Sequence, residues 1–380
     1  MRDLASLEDA ERKYRATVVD NYDQMSDADR HWRGPLPRRH GPGVLMKILV
    51  TGGTGFIGRH IVWRLAAKGC EVQFSGRNAV AAADVIRHSP AAVRWLPLEH
   101  GTPAAPATLI DATRGCAAIV HCAALSSPWG TPQAFAQANL NSTDEVLLAC
   151  HANAVKRLVH LSTPSLYFTF RDRLGIREDE PLPPPINEYT RSKALAETRV
   201  HVAGLAEAVI LRPRAVFGPW DGTLLPRLLR VMQRGPIPLM HDGQAQLDLT
   251  CIDNLVHAVE LSLTQPLPRA VCTYNVSNGT PLSIEDLLRT IAEQFRLKLR
   301  TRRLPWRLVD ALARVLETSA RLRGSGEPLL TRYGAGVLAF SQTLDLSAIH
   351  NELGYRLVVT QDEGIREHAQ WWLAQQGARA

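Results

Sequence analysis

The segment Thr51-Gly52-Gly53-Thr54-Gly55-Phe56-Ile57-Gly58 constrains the fold more than any other part of the chain, because it joins an apolar strand to an amphipathic helix. Its glycines have the spacing G-x-x-G-x-x-G. Gly52 permits a tight turn, Gly55 lets a pyrophosphate approach the backbone, and Gly58 lets the helix pack against the sheet. The helix N-terminus then offers unpaired N–H groups to phosphates. A strand, turn and helix in this order predict a nucleotide-binding βαβ unit.

Short apolar strands alternate with helical segments from Met46 onward. The predicted helix Glu188–His201 separates the strands Arg157–Leu161 and Ala208–Arg212, and the predicted helix Gln133–His151 precedes Arg157–Leu161. Strands and helices that alternate form a parallel sheet covered on both faces. We therefore predict an α/β fold, a Rossmann doubly wound parallel sheet with a smaller, interleaved C-terminal substrate-binding region.

The alternation of strands and helices divides the chain into three regions. Residues 1–45 are expected to form a charged N-terminal extension without fixed structure, with a short helix over Leu4–Tyr14 as the alternative. Residues 46–216 are expected to form the NAD(P)-binding Rossmann domain with the catalytic residues. Residues 217–380 are mainly the substrate-binding region, with strands near 246–250 and 272–276 returning to the Rossmann part.

Composition excludes several classes of protein. The 380 residues are 45% hydrophobic and carry a net charge of +7, which suits anionic ligands, but no nucleic-acid-binding motif is present. The six cysteines form no C-x-x-C pair, so free thiols and no metal site are expected. No apolar run reaches the roughly 18–20 residues of a membrane span, and the N-terminus lacks a signal core. We therefore expect a cytoplasmic protein.

Tyr189 and Lys193 form a Y-x-x-x-K spacing on a predicted helix over Glu188–His201. Residues at i and i+4 share one helix face, with Cβ atoms about 5–6 Å apart. A lysine beside a phenol stabilises the phenolate and lowers the pKa of the tyrosine, which can then exchange a proton with a substrate oxygen. Many surface helices contain the same spacing, so its weight depends on the neighbouring motifs.

One such motif is Ser162-Thr163-Pro164-Ser165, which follows the predicted strand Arg157–Leu161. Ligands bind at the carboxyl ends of strands in open α/β sheets. With the glycine turn and Y-x-x-x-K, this segment resembles the extended short-chain dehydrogenase/reductase family. The chain is most similar there to the branch of 3β-hydroxysteroid dehydrogenases and 2-alkyl-3-ketoalkanoate reductases. The segments 120–124, 211–219 and 277–279 add to the resemblance.

The resemblance implies a role for each matching residue. Thr163 would hold the substrate oxygen beside Tyr189, and Asn139 would support Lys193 through water. Ser162 is a weaker candidate than Thr163. The implied catalytic residues are Thr163, Tyr189, Lys193 and Asn139, and the implied cofactor-binding residues are Gly52, Thr54, Gly55, Phe56, Ile57, Gly58, Arg77, Ala123, Ala124, Tyr189, Lys193, Pro213 and Val216.

The end of the second strand favours NADP over NAD. NAD enzymes place a carboxylate here for the ribose 2′-hydroxyl, whereas NADP enzymes use an arginine for the 2′-phosphate. Arg77 occupies this place in the segment Ser75-Gly76-Arg77-Asn78. The family also shows an aspartate after the third strand, where only Glu99 lies near, so the adenine contact is in doubt. NAD remains the alternative cofactor.

The resemblance implies an oxidoreductase that interconverts a ketone and a secondary alcohol on an apolar substrate. The substrate would be either 3β-hydroxysteroid-like or 2-alkyl-3-keto acid-like. A sugar-nucleotide epimerase of the same fold and a non-catalytic NADP sensor are the alternatives. Dehydratases of the family carry Asp-Glu after the catalytic threonine, where this chain has Pro164-Ser165. A homodimer remains open.

The segment Arg296–Arg303 alternates basic and apolar residues and precedes a predicted amphipathic helix over Trp306–Arg321. A strand over this segment would carry its cations on one face. Val309 and Leu312 belong to the predicted apolar stripe of the helix. We expect a lid over the substrate, whereas packing against the core and peripheral contact with an anionic membrane are the alternatives.

Overall fold

Seven short strands rich in valine, isoleucine and leucine form the central sheet of the computed structural model, which describes residues 46–324, 326–328 and 330–377. All seven run parallel, in the order β3-β2-β1-β4-β5-β7-β12. A first strand near the middle is the arrangement of a doubly wound sheet, so the predicted fold class is confirmed. The strands are β1 (Lys47–Thr51), β2 (Glu71–Gly76), β3 (Val93–Pro97), β4 (Ala118–His121), β5 (Arg157–Leu161), β7 (Glu207–Pro213) and β12 (Val271–Val276).

Helices fill the connections between these strands. The first half of the chain contains α1 (Phe56–Ala67), α2 (Ala79–Arg87), α3 (Ala105–Ala112), α4 (Pro132–Phe135), α5 (Ser142–Ala152) and α6 (Glu188–Val202). The second half contains α7 (Leu224–Arg234), α8 (Ile252–Thr264), α9 (Ile284–Gln294), α10 (Trp306–Leu322), α11 (Arg332–Ala339), α12 (Ser347–Leu353) and α13 (Gln361–Gly377). No helix within the described ranges is long and apolar enough to cross a membrane.

Two predictions about helices are confirmed. The helix predicted over Gln133–His151 is present, because α4, the π-helical segment Ala136–Asn141 and α5 follow one another without a break. Ser283 and Asp286 have the spacing of a helix cap, and the Ser283 Oγ accepts the Asp286 N–H at 3.0 Å at the start of α9. The extension 1–45 and its Leu4–Tyr14 helix lie outside the described residues.

The inner strands β1 and β4 carry apolar residues on both faces because both faces of the sheet are covered. Successive residues of a strand point to opposite faces. Ile48 and Val50 of β1 pack in one core cluster with Ile61 of α1. Leu49, between them, packs in a second cluster with Leu109 of α3. The sheet therefore lies between two helix layers, and its carboxyl edge is left for polar residues.

The second half of the chain contributes smaller sheets. A four-stranded sheet has the order β13-β10-β15-β6, and two pairs join β8 to β11 and β9 to β14. Residues 272–276 lie in the central sheet as β12, whereas residues 246–250 do not return to it and belong to the small sheets. These strands are β6 (Arg173–Ile176), β8 (Val216–Phe217), β9 (Ile237–Leu239), β10 (Gln246–Leu247), β11 (Thr250–Cys251), β13 (Leu282–Ser283), β14 (Thr301–Arg303) and β15 (Gln342–Leu344).

The basic segment before α10 does not form the predicted strand. Only Thr301–Arg303 is extended in a sheet, and Arg296 has a left-handed backbone with φ +54°. In α10, Val309 packs against Ala335 and Ala339 of α11, whereas Leu312 is 51% exposed. The predicted stripe is therefore wrong at Leu312 and right at Val309, because the buried face of α10, which also contains Ala313, is rotated away from Leu312. The burial of Val309 agrees with packing of α10 against the core, which was the alternative to a lid.

A buried ion pair joins α6 to the sheet. Arg212 of β7 donates from Nε to Glu197 Oε1 at 2.9 Å and from Nη2 to Oε2 at 2.5 Å. Both side chains are about 5% exposed or less, and the Tyr167 hydroxyl accepts a further bond from Arg212. Burial lowers the pKa of Arg212, but the hydrogen bonds and charge of Glu197 outweigh it and raise the pKa overall. The pair therefore fixes α6 against β7.

Replacing Glu197 by alanine is expected to destabilise the fold by about 3–5 kcal/mol, because Arg212 would stay buried without its partner. Chemical denaturation of the two proteins measures the difference. Glu188→Ala is the control on the same helix, since Glu188 pairs with Arg191 at the surface and such pairs contribute about 0–1 kcal/mol. Equal losses in the two variants would contradict the role given to Glu197.

Candidate active site

The glycine turn lies between β1 and α1 at the carboxyl edge of the sheet. Gly52 has φ +66°, and its carbonyl accepts the Gly55 N–H at 2.9 Å. A Cβ on Gly58 would lie 2.3 Å from the Gly52 oxygen, so α1 packs on the turn only with glycine there. No side chain caps α1, and its first turn, which begins with Phe56 and Ile57, holds no acidic residue. The uncapped N–H groups and the glycine cradle fit a dinucleotide pyrophosphate.

The segment after β4 lies directly beside this turn. The Ala123 N–H donates to Thr51 Oγ1 at 3.3 Å, and Cys122 N–H donates to the Thr51 carbonyl at 3.2 Å. A Cβ on Gly52 would lie 2.8 Å from Ala123 Cα. Ala123 and Ala124 therefore line the same edge as the glycine turn, where small side chains leave room for a ligand.

Tyr189, Lys193 and Thr163 come together where α6 passes the end of β5. The Tyr189 hydroxyl lies near the hydroxyls of Thr163 and Ser126, which act to lower its pKa. Lys193, one turn further along α6, is 3% exposed, and its Nζ donates to the Leu161 carbonyl at 2.5 Å. The capping box at Asn187 begins α6 two residues before Tyr189 and so fixes the start of the helix. The structure thus brings together the three residues that the sequence motifs proposed.

Burial shifts the pKa values of Tyr189 and Lys193 in the directions that favour their neutral forms. It raises the pKa of Tyr189, against the opposite effect of the Ser126 and Thr163 hydroxyls. It lowers the pKa of Lys193 to about 8, although Glu197 and Cys122 act to raise it. The prediction that Lys193 lowers the pKa of Tyr189 is wrong for this structure, because the lysine is directed to the Leu161 carbonyl and burial dominates at the phenol.

Asn139 lies on the π-helical segment and contacts the catalytic helix at the residue before Lys193. Its amide donates to Ser192 Oγ at 2.8 Å, and its Oδ1 accepts the Leu125 N–H at 2.7 Å. It therefore ties α6 to the loop after β4. π-Helical turns inside α-helices are frequent at functional sites. Support of Lys193 through water stays a prediction.

The remaining cofactor candidates lie along the same edge. Arg77, one residue after β2, has a side chain that is 75% exposed, and its Nη1 lies 3.4 Å from Glu99 Oε1. Thr54 belongs to the turn itself, and its carbonyl accepts from Arg59 Nη2 at 3.1 Å. Pro213 ends β7, and Val216 begins β8 after Ala215, whose φ is +44°.

Two side chains at the reaction centre were missed by the sequence motifs. Ser165 Oγ accepts from Thr163 Oγ1 at 2.9 Å and lies 2.7 Å from the hydroxyl of Tyr333. Ser165 could have been found, because it belongs to the hydroxyl-rich segment after β5. Tyr333 stands on α11, 144 positions beyond Tyr189, and no local pattern marks it.

Gly58→Ala is expected to weaken binding of a nicotinamide dinucleotide at least tenfold, because the methyl group would push α1 away from the turn. Calorimetric titration with NADP and NAD measures the change. Gly222→Ala is the matched control, since a Cβ at Gly222 meets no atom within 4 Å. Unchanged binding in Gly58→Ala would contradict the assignment of this turn.

Comparison with known proteins agrees with this arrangement. Residues 48–277 match the NAD dependent epimerase/dehydratase family. The chain is 34% identical to the uncharacterized protein YbjS of Escherichia coli, over 86% of this chain and 97% of that protein. It is 32% identical to a 2-alkyl-3-oxoalkanoate reductase of Stenotrophomonas maltophilia, over 84% and 98%.

Solved structures share the fold. The dTDP-glucose 4,6-dehydratase DesIV of Streptomyces venezuelae, crystallised with NAD, has a TM-score of 0.68 and 25% identity, covering 88% of this chain and 98% of that one. The UDP-glucose 4-epimerase of Thermotoga maritima has the same TM-score at 20% identity, covering 87% and 100%. The chain therefore belongs to the NAD dependent epimerase/dehydratase family, and it is an oxidoreductase of the extended short-chain dehydrogenase/reductase type.

Proposed function

We propose that this protein is an NADP-dependent enzyme that interconverts a ketone and a secondary alcohol on an apolar substrate. The observation that carries the proposal is that the hydroxyls of Tyr189 and Thr163 lie near each other just beyond the end of β5, with Lys193 one helical turn away. This arrangement can place a substrate oxygen between a proton donor and a second hydroxyl. The named reductase relatives act on 3-oxo groups by their names, which supports the same reaction here.

The bound nicotinamide supplies the hydride that the carbonyl carbon receives. Tyr189 donates its hydroxyl proton to the carbonyl oxygen during reduction and takes it back during oxidation. Thr163 holds that oxygen and stabilises the negative charge that develops on it. Lys193, with a pKa of about 8, is suited to return a proton to the site near neutral pH.

The substrate is proposed to be 3β-hydroxysteroid-like or 2-alkyl-3-keto acid-like. Relatives of both kinds support this: the 2-alkyl-3-oxoalkanoate reductases, and a 3beta-hydroxysteroid-dehydrogenase/decarboxylase of Arabidopsis thaliana at 28% identity. A dehydratase is disfavoured because Pro164-Ser165 replaces its acidic pair. An epimerase would retain NAD through gel filtration, whereas a reductase that exchanges its cofactor would not.

Tyr189→Phe is expected to lower turnover of ketones about 10²–10⁴-fold, because the proton donor is removed. Oxidation of NADPH, followed by its absorbance with a panel of ketones, measures this. Binding of NADPH should persist, since the aromatic ring remains. Ser162→Ala is the control: Ser162 Oγ has no hydrogen-bond partner in the described part of the chain, so turnover should stay within about threefold. Full activity in Tyr189→Phe would contradict the proposed chemistry.

Arg77→Asp is expected to change the preferred cofactor from NADPH to NADH. The new carboxylate would repel a 2′-phosphate and accept a hydrogen bond from a 2′-hydroxyl. The ratio of kcat/KM for the two cofactors measures the preference. Arg87→Asp is the control, because Arg87 is an exposed cation on α2 that pairs with Asp84. A wild-type preference for NADH would overturn the role given to Arg77.

A further inference from the structure

Arg214 is a buried cation at the carboxyl edge of the sheet, and the proposed reaction gives it no role. It follows β7 directly, and β7 lies beside β5, the strand that ends two residues before Thr163. Its N–H donates to the Val276 carbonyl at 3.0 Å, and its own carbonyl accepts from Thr250 Oγ1 at 2.6 Å. The backbone of Arg214 is therefore fixed between two neighbouring strands.

The guanidinium of Arg214 has unused hydrogen-bonding capacity. The residue is 4% exposed, yet its Nε and Nη2 are buried without a hydrogen-bond partner among the described residues. Nε–H and one Nη2–H point in the same direction along one edge of the guanidinium. This edge is the planar fork that binds a carboxylate through two parallel hydrogen bonds.

The guanidinium is connected to the reaction centre. It lies near Tyr333, whose hydroxyl lies 2.7 Å from Ser165 Oγ. Ser165 in turn accepts from Thr163, which contacts Tyr189. A short chain of side chains thus separates the unused fork from the proton donor. The rings of Tyr333 and Phe168 pack edge to face at 5.3 Å and hold the phenol in this position.

Asp248 is a buried carboxylate near Arg214, but the two side chains make no hydrogen bond with each other among the described residues. Its Oδ2 accepts the Leu344 N–H at 2.7 Å, and its Oδ1 is buried without a hydrogen-bond partner among the described residues. Burial raises the pKa of Asp248 and lowers the pKa of Arg214, although each acts on the other in the opposite direction. A buried cation with a free fork is costly unless an anion pairs with it.

We propose that the free fork of Arg214 binds a carboxylate of the substrate, so that the enzyme acts on 3-oxo acids rather than on neutral ketones. The inference rests on the proposed ketone reduction and chooses between its two substrate classes. A 3-oxo acid carries its carboxylate two carbon atoms from the ketone carbon. Arginine suits this role better than lysine because its planar fork matches the two carboxylate oxygens.

The test compares 3-oxodecanoate with its methyl ester, which has the same chain and no charge. Wild-type kcat/KM with NADPH should be higher for the acid. Arg214→Lys keeps the positive charge and removes the fork, and should reduce the acid-to-ester preference about 10- to 100-fold. A merely structural arginine would lower both values together and leave the preference unchanged, which would overturn the proposal.

Two rival partners for the fork give different results. If the fork binds the cofactor, Arg214→Lys weakens NADPH binding and leaves the acid-to-ester preference intact. If Asp248 is its partner, wild type shows no preference for the acid. Either result would overturn the proposal. The proposal predicts instead that the wild type prefers the acid, that Arg214→Lys loses this preference, and that the Kd for NADPH is the same in both proteins.

The proposal can also be tested without turnover, by measuring how tightly the protein binds an acid that resembles the product. Decanoate should bind the wild-type complex with NADP more tightly than decanamide does, and calorimetry measures both. If wild type reduces neither ketone, the proposed reaction fails, whereas equal binding of decanoate and decanamide overturns the assignment of Arg214. This comparison on wild type also decides the question if the Arg214→Lys variant does not fold.

Discussion

The ion pair between Arg212 and Glu197 is the interaction on which the geometry of the reaction centre depends. Glu197 follows Tyr189 and Lys193 at intervals of four residues, so all three lie along one side of α6. Arg212 holds the far end of that side against β7 with two hydrogen bonds. Because helix and strand are locked together, the position of the proton donor relative to the strand ends is fixed by the core.

The same burial that makes this pair strong also determines the chemistry of α6. A buried phenol and a buried ammonium without an ion-pair partner both favour their neutral forms. The pKa of Tyr189 is therefore raised, which keeps the proton on the phenol at neutral pH, and that of Lys193 falls to about 8. Glu197 offsets the shift at Lys193 only in part, whereas at Arg212 its charge and hydrogen bonds outweigh the effect of burial.

Much of this could be predicted from the sequence where a short segment contains its own physical reason. The glycine turn, the Y-x-x-x-K pair and the cap at Ser283 each depend on residues a few positions apart, and each was found. Packing contacts between segments far apart in the sequence could not be predicted from such local patterns. The exposure of Leu312 follows from how α10 packs on α11, and Tyr333 reaches Ser165 through tertiary packing alone. Periodicity identifies an amphipathic helix but leaves the rotation of its buried face uncertain by one residue.

The two halves of the chain therefore contribute differently to the site. The parallel sheet brings the glycine turn, Thr163 and α6 to one edge, because every strand ends there and its connections are short. The second half of the chain adds Tyr333 from α11 and, through β11 and β12, the backbone bonds that hold Arg214. Relatives with different substrates share the first set of constraints through the fold. The second set depends on side chains whose partners lie far away in sequence, and such contacts can change without disturbing the sheet. Substrate selection is therefore expected to reside in these contacts rather than in the motifs that identify the family.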